Sequence, residues 1–312
     1  MMTGSKDRNI KNISGLLVIL LCVLLASCGG GGGAPSSDAG DDGKSYEVPA
    51  FRDAGFDEES AEGSGGVMID TSGKDEGYFA VHATSEDKLK LQVLKDDEVY
   101  TYDIVNGREQ IYPLQLGNGT YTIMALKNIT GNKYSELYSC TLDVNISDEF
   151  DPFLRPSQYA DYDKSSECVA KAAELAASAS DPNDFISKVY DYVCENIEYD
   201  KEKAASVQPG YIPEPDKILS EGKGICFDYA SLAASMLRSQ GIPTKIIFGY
   251  VGDSGDLYHA WNMYYTKESG WVAAEFEVSK DEWNRLDLTF SANGSDSDFI
   301  GDGKNYLEVY QF

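Results

Sequence analysis

The hydrophobic pattern of the chain changes its period near the middle, and this change limits the folds that are open to it. Between residues 67 and 147, apolar and polar residues alternate in runs such as 88–94, 99–104 and 120–126. Alternation of this kind is typical of half-buried strands. From about residue 165 to 240 the apolar residues recur at helical spacing instead. The two periods predict a β region followed by a region that begins with helices.

Turn signals divide the first region into short strands. They lie at 95–97, 106–107, 117–119 and 131–132, and successive breaks are 10–14 residues apart. Regular short strands with such turns predict a small antiparallel sandwich of six or seven strands over residues 67–147. His82 lies in this region, and a single strand histidine is assigned no catalytic role.

Residues 1–27 have the features of a secretory signal. A basic start is followed by an apolar run over 16–25, which is shorter than the roughly 20 residues that a membrane span needs. Leu-Ala-Ser then precedes Cys28, and this sequence resembles a bacterial lipobox. The resemblance implies an exported chain that is anchored to the membrane through a lipidated Cys28. The alternative, a signal peptide that is cut nearby, still predicts export.

Residues 28–66 are rich in Gly, Ser, Ala, Asp and Glu and begin with five glycines after Cys28. So few apolar residues cannot offset the entropy cost of ordering, and the segment is predicted to be a disordered tether. The formal net charge of the whole chain is −26. Binding to nucleic acid needs a Lys/Arg surface, so this charge argues against a nucleic-acid partner.

The last domain, residues 148–312, is predicted to contain helices followed by a strand meander. One helix includes Cys168 and Ala172, and a second begins at 181–184. A loop over 200–220 precedes a third helix at 226–240, which a Gly-Ile-Pro sequence ends. The predicted strands are 244–251, 259–266, 271–278, 283–288 and 306–312.

Cys226 stands at the start of the third helix, where free N–H groups and the helix dipole stabilise a thiolate. Gly222 and Gly224 precede it and are expected to let a substrate approach the backbone. The N–H of Cys226 itself can donate to an oxyanion. The alternative is a cysteine that only packs in the core, which is the commonest role of a free cysteine.

His259 is the only histidine in the same domain as Cys226, and Ala-Trp follows it. Asp287 lies between two leucines, where an unpaired carboxylate would be costly to bury. An imidazole partner would remove that cost and fix the tautomer of the histidine. These three residues therefore form a candidate nucleophile, base and orienting carboxylate.

Three sequence motifs in this domain resemble those of the bacterial transglutaminase-like superfamily. They are GICFDYA at 224–230, HAWN at 259–262 and DLTF at 287–290. The resemblance covers about residues 160–312 and implies an α+β fold with a papain-like core, in which helices pack on an antiparallel sheet. It also implies Cys226 as nucleophile, His259 as base and Asp287 as orienting residue. Asp298, Glu275 and Glu277 are the other carboxylates considered for the third role.

The implied reaction is acyl transfer from protein or peptide substrates at the cell surface, through a thioester on Cys226. Water would give hydrolysis and an amine would give cross-linking, and the sequence does not choose between them. Gln208 and Tyr211 are candidates for a second oxyanion donor. The alternative function is an inactive module that binds peptides or cell-wall ligands in the same cleft.

No cofactor is expected from the sequence. The acidic, Gly-rich segment 293–304 does not fit the calcium-loop template, because the closing Glu is absent, so no metal is expected there. In the predicted mature chain, Cys140, Cys168 and Cys194 remain after Cys28 and Cys226. A Cys168–Cys194 disulfide is conceivable on consecutive helices, but buried thiols are the preferred interpretation.

Overall fold

The computed structural model of the chain describes residues 45–251, 257–278, 283–287 and 307–312. The predicted signal segment, the predicted lipidation site Cys28, the rejected calcium-loop candidate 293–304 and the alternative carboxylate Asp298 lie outside the described residues. None of the helices in the described ranges is long and apolar enough to cross a bilayer.

The first region is a β domain of two four-stranded sheets. Its strands are β1 (Glu62–Ser64), β2 (Val67–Asp70), β3 (Tyr78–Ala83), β4 (Leu89–Lys95), β5 (Glu98–Ile104), β6 (Glu109–Pro113), β7 (Gly119–Thr130) and β8 (Lys133–Val144). One sheet has the order β1-β2-β3-β6 and the other β5-β4-β7-β8, with every pairing antiparallel. The predicted β domain is confirmed. The extra strand is β1, whose three residues are all exposed and show no alternation.

The alternating residues of these strands point inward and form the core of the β domain. Leu91 and Val93 of β4 are fully buried, as are Phe79 and Val81 of β3. Across the two sheets, the rings of Tyr102 and Tyr112 meet with centroids 4.9 Å apart. The buried face therefore follows directly from the two-residue period of the strands.

Residues 45–61 lie against the folded chain, so the prediction of a disordered tether is wrong for this part of 28–66. The backbone N–H of Tyr46 donates to Ala179, and its ring stacks on Phe185 at 5.4 Å. Further along, Phe51 packs edge-on against Tyr162. A few aromatic anchors are enough to order a segment whose overall composition is polar, because each buries a large apolar area.

Within the described part of the chain, five α-helices follow the β domain: α1 (Glu167–Ala177), α2 (Pro182–Asn196), α3 (Lys201–Ser206), α4 (Pro215–Glu221) and α5 (Cys226–Ser239). The predicted loop 200–220 thus contains two short helices. The side chain of Asp200 caps α3 by accepting a bond of 2.8 Å from the Lys203 N–H, and Pro215 begins α4. Between α2 and α5, β9 (Glu198–Tyr199) pairs in parallel with β10 (Lys223–Gly224).

A five-stranded antiparallel sheet completes the C-terminal domain. It consists of β11 (Thr244–Val251), β12 (Leu257–Thr266), β13 (Gly270–Val278), β14 (Trp283–Asp287) and β15 (Leu307–Gln311), in the order β14-β13-β12-β11-β15. Helix α5 packs on β11 and β12, and α1, α2 and α4 pack on α5. Helices on an antiparallel sheet are the predicted α+β core.

A buried arginine joins the end of α5 to the rest of the domain. Arg238 is 1% exposed. Its guanidinium donates to the carbonyls of Thr244, Arg155 and Phe312 at 2.7, 3.1 and 2.9 Å, and to the Ser157 hydroxyl at 3.2 Å. Burial lowers the pKa of Arg238 to about 10. One side chain therefore connects α5, β11, the crossover before α1 and the C-terminal residue.

Candidate functional site

Cys226 is the first residue of α5 and is partly exposed. The thiol contributes to the raised pKa of two tyrosine hydroxyls. Burial, and after it Cys226, raises the pKa of Tyr199. Burial also raises the pKa of Tyr258, followed by smaller effects of Tyr310, Tyr250 and Cys226. One residue separates Cys226 from β10, and Gly224 of β10 pairs with Tyr199 of β9.

The carboxylate of Asp228 organises the first turn of α5. Asp228 is fully buried, and its Oδ2 accepts from the Ile225 N–H at 2.8 Å. The same carboxylate accepts from Lys203 Nζ at 2.6 Å and from the Tyr211 hydroxyl at 2.5 Å. A buried charge that is paired and hydrogen-bonded in this way fixes the backbone around it. The backbone next to Cys226 is therefore held by residues from α3 and the segment after it.

The two oxyanion candidates differ in their surroundings. Burial and the bond to Asp228 raise the pKa of Tyr211, whose hydroxyl is already committed to that carboxylate. Gln208 is exposed, and its amide nitrogen donates to the Ser206 carbonyl at 2.7 Å. The Tyr211 hydroxyl would have to give up its bond to Asp228 to meet an oxyanion, whereas the amide nitrogen of Gln208 carries a second N–H besides the one bonded to Ser206.

The two glycines before Cys226 have structural reasons for being glycine. Gly222 has φ of +62° and caps α4, with its N–H bonded to the Ile218 carbonyl at 3.0 Å. At Gly224, an added Cβ would lie 2.6 Å from the Cβ of Asp228. The sequence predicted that both glycines let a substrate approach the backbone. In the structure, Gly222 caps α4, and Gly224 leaves space for the buried Asp228 side chain.

Strand β12 presents alternate residues to its two faces, and the face toward α5 carries Tyr258, Ala260 and Asn262. The Tyr258 ring stacks on Phe248 at 6.2 Å, and Phe248 in turn meets Phe227 of α5 at 4.7 Å. Asn262 is fully buried and donates to the Ala230 carbonyl of α5 at 3.0 Å. The even-numbered positions of β12 therefore face the helix.

His259 occupies the opposite face of the same strand. It pairs with Gly249, and a Cβ on Gly249 would lie 2.7 Å from the ring of Trp261. Trp261 is 1% exposed and clusters with Ile247 on this second face. The structure therefore brings Tyr258 to the Cys226 side of β12, while His259 shares its side with Trp261.

The candidate carboxylates fall into two groups by register. Asp287 pairs with Ala274, which pairs with Asn262. Paired positions of neighbouring strands lie on the same face of the sheet, and successive positions of one strand alternate between faces. Position 287 therefore lies on the face of Asn262, and positions 275 and 277 lie on the face of His259. The register therefore places Glu275 and Glu277, rather than Asp287, at positions on the face of His259.

Asp228, Lys203 and Tyr258 are the residues of this site that the sequence analysis did not single out. A detectable signal existed for Asp228, since an acidic residue three positions after the N-cap is typical of a helix start. The contribution of Lys203 depends on the turn between α3 and α4 and carries no local signal.

Three partly exposed tyrosines lie on β11, β12 and β15, on the face of the sheet that packs against α5. Tyr250, Tyr258 and Tyr310 are 37%, 50% and 41% exposed, and Tyr250 and Tyr258 meet at 5.3 Å. Exposed aromatic side chains with polar tips are typical of surfaces that bind peptides. Within the described residues, no group of three or more His, Cys, Asp or Glu side chains could hold a metal ion. Cys140, Cys168, Cys194 and Cys226 are all thiols.

Comparisons with known proteins agree with the α+β core. Residues 169–276 match the model of the transglutaminase-like superfamily, a range that contains Cys226, His259 and Glu275 and ends before Asp287. No curated protein matches the sequence of this chain.

Solved structures that resemble the chain include a putative cysteine protease from Cytophaga hutchinsonii, with 16% identity, 67% of this chain and 83% of that chain covered, and a TM-score of 0.37. Red sea bream transglutaminase has 15% identity, coverages of 64% and 48%, and a TM-score of 0.29. Legionella pneumophila LapG has 15% identity, coverages of 46% and 76%, and a TM-score of 0.30.

Proposed function

Since residues 169–276 form a domain of the transglutaminase-like superfamily, we propose that this chain carries out thiol-dependent acyl transfer, with Cys226 as the nucleophile. The observation that carries the proposal is the position of Cys226, partly exposed at the first residue of α5 within the matched range. The free N–H groups of the helix start and its dipole stabilise a thiolate at that position.

In the proposed reaction, the Cys226 thiolate attacks a carboxamide or peptide carbonyl. The new C–S bond forms as the C–N bond breaks, and the leaving amine takes a proton from the imidazolium of His259. Water then releases the acyl group as an acid, or an amine releases it as a new amide. The Cys226 N–H is one oxyanion donor, and the bond from Ile225 to Asp228 keeps the adjacent backbone in place.

The proposed reaction requires β12 to change its register, because His259 and Cys226 lie on different sides of this strand in the described pairing. A one-residue change in the pairing of β11 with β12 would exchange the faces of Tyr258 and His259. In the catalytic arrangement we propose Glu275 as the carboxylate behind His259, since its position shares the His259 face and it lies within the matched range. Asp287 shares neither property.

A second candidate function is a peptide-binding module without catalysis. It is favoured by the same register, which places Tyr258 instead of His259 on the face of β12 that packs against α5. The exposed ring pair of Tyr250 and Tyr258 would then be the binding surface. The substrate or ligand class is the same in both candidates: a protein or peptide segment at the cell surface.

Thiol alkylation separates the two candidates. We expect iodoacetamide at pH 6 to label Cys226 faster than Cys194, a partly buried thiol of the same chain that serves as an internal control. His259→Ala is expected to slow labelling of Cys226 by about tenfold or more, because the ion pair that holds the thiolate is lost. Mass spectrometry of the two cysteine peptides measures both rates.

Equal labelling of Cys226 and Cys194, with no effect of His259→Ala, would remove the catalytic proposal and leave the binding module. A companion assay follows amine incorporation and peptide hydrolysis. We expect Cys226→Ala to abolish both activities while the circular dichroism spectrum stays unchanged.

We also propose that the chain is exported and held at the membrane by lipid on Cys28. The support is the sequence of residues 16–28, an apolar run followed by Leu-Ala-Ser-Cys. Intact-mass analysis of the chain from membranes should show acyl chains on Cys28, and Cys28→Ser should release the protein from the membrane fraction. An unmodified wild-type chain in that fraction would contradict the proposal.

A further inference from the structure

A cavity of about 300 Å³ lies at the end of β11 that is remote from His259. It opens between the β domain, the segment that follows β8 and the sheet of the C-terminal domain. Its apolar walls are Ile146, Phe150, Phe153 and Trp271, and its charged residues are Lys245 and Glu149. Lys245 and Trp271 belong to the C-terminal sheet, whereas Glu149 and the phenylalanines belong to the crossover. No residue of α5 lines the cavity, so it is separate from the site at Cys226.

The ammonium group of Lys245 lies over two aromatic rings. Nζ is 4.2 Å from the centroid of Trp271 and 4.7 Å from that of Phe153. Lys245 makes no ion pair or hydrogen bond through Nζ with any residue that the structure describes, so its only close partners are ring faces. Burial lowers the pKa of Lys245, against smaller opposing effects of Glu308 and Glu149. A partly desolvated cation of this kind gains from an added carboxylate partner.

Glu149 supplies the opposite charge at the same cavity. It is exposed and lines the cavity, and it forms no ion pair within the described ranges, Lys245 included. A cation and an anion therefore line the same cavity without an ion pair between them. The net charge of −26 also disfavours a ligand that is only an anion.

We propose that this cavity binds a small zwitterion with an apolar side chain, namely a free amino acid or a dipeptide. The ligand carboxylate pairs with Lys245, its ammonium pairs with Glu149, and its side chain lies on Phe150, Phe153 and Trp271. The volume is at the small end of the range for ligand pockets, which fits a molecule of this size. The proposal does not depend on the chemistry at Cys226.

Three related ligands test the proposal by NMR titration of the full chain. L-phenylalanine has both charges, 3-phenylpropanoate lacks the ammonium, and 2-phenylethylamine lacks the carboxylate. We expect the wild-type chain to bind L-phenylalanine about tenfold more tightly than either analogue, a difference that corresponds to one charge contact of about 1.4 kcal/mol.

The variants assign each charge to one residue. Lys245→Met should bind L-phenylalanine no more tightly than 2-phenylethylamine, whereas Glu149→Gln should bind it no more tightly than 3-phenylpropanoate. Lys90→Met is the matched control, because Lys90 is ion-paired with Asp103 in the β domain, and it should leave all three affinities unchanged.

The proposal is overturned if wild-type protein binds the three ligands equally or binds none, or if Lys245→Met keeps the full affinity for L-phenylalanine. Glu149 is exposed, so Glu149→Gln gives a folded variant that decides the question even if Lys245→Met does not fold. Retention of the L-phenylalanine preference in Glu149→Gln would equally contradict the zwitterion assignment.

Discussion

The core of the β domain and the helix α5 differ in what they bury. In the β domain, β3, β4 and β7 bury mainly aliphatic and aromatic side chains such as Phe79, Leu91 and Ile123. Helix α5 also buries Asp228, Arg238 and three serines, Ser231, Ser235 and Ser239. A core of apolar residues depends on area and close packing. A core that contains charges depends on having a partner for every polar group.

This difference has a consequence for function. An apolar core tolerates exchange of one hydrophobic residue for another of similar volume. The polar core of α5 instead links particular segments to each other: Asp228 connects the helix start to α3, and Arg238 connects its end to the C-terminal residue. Such links hold the first turn of α5, and with it Cys226, in one position relative to the sheet.

The largest effect is expected at the buried guanidinium. Arg238→Met removes the guanidinium bonds to three backbone carbonyls, of which that of Phe312 keeps a bond from the Ile246 N–H, and we expect the free energy of unfolding to fall by about 3–5 kcal/mol. Chemical denaturation followed by tryptophan fluorescence measures the change. Arg238→Lys should restore little of the lost stability, because one ammonium group cannot replace the five N–H donors of the planar guanidinium.

Arg108→Met is the matched control for this comparison. Arg108 pairs with Asp161 where both side chains are about half exposed, and loss of such a pair is expected to cost less than about 1 kcal/mol. If Arg238→Met were as mild as this control, the guanidinium would not join the segments that it contacts, and the proposed contrast between the two cores would be lost.

The same contrast explains which parts of the structure could be predicted from the sequence. Alternation predicted the strands of the β domain because each strand buries one face and needs only the period of two. The buried face of the β domain follows without knowledge of any partner. The start of α5 at Cys226 was predicted for a similar reason, since helix ends have local signals.

The remaining features depend on contacts between distant segments. Lys203 and Tyr211 reach Asp228 only because α3 and the chain after it fold back over α5. The order along the chain of Cys226, His259 and Asp287 gave no information about the faces of β12 and β14, which are set by the pairing register. The segment 45–61 appeared too polar to fold, yet Tyr46 and Phe51 dock it.

A smaller effect is expected from removing one hydroxyl in each region. The Tyr211 hydroxyl donates to the Asp228 carboxylate, whereas the Tyr121 hydroxyl of β7 donates to the neutral carbonyls of Leu114 and Gly117 at 3.1 and 2.8 Å. We expect Tyr211→Phe to lower the free energy of unfolding by about 1.5–2 kcal/mol and Tyr121→Phe by about 1 kcal/mol, since bonds to charged groups are stronger.

The readout that separates the two variants is the alkylation of Cys226 at pH 6. Tyr211→Phe loosens the carboxylate that holds the Ile225 N–H, so the first turn of α5 should stabilise a thiolate less well, and labelling should slow by about two- to fivefold. Tyr121→Phe should leave the rate unchanged, because its bonds lie within the β domain. Equal labelling rates in the two variants would mean that Tyr211 only stabilises the fold, and that the polar core of α5 does not position the thiol.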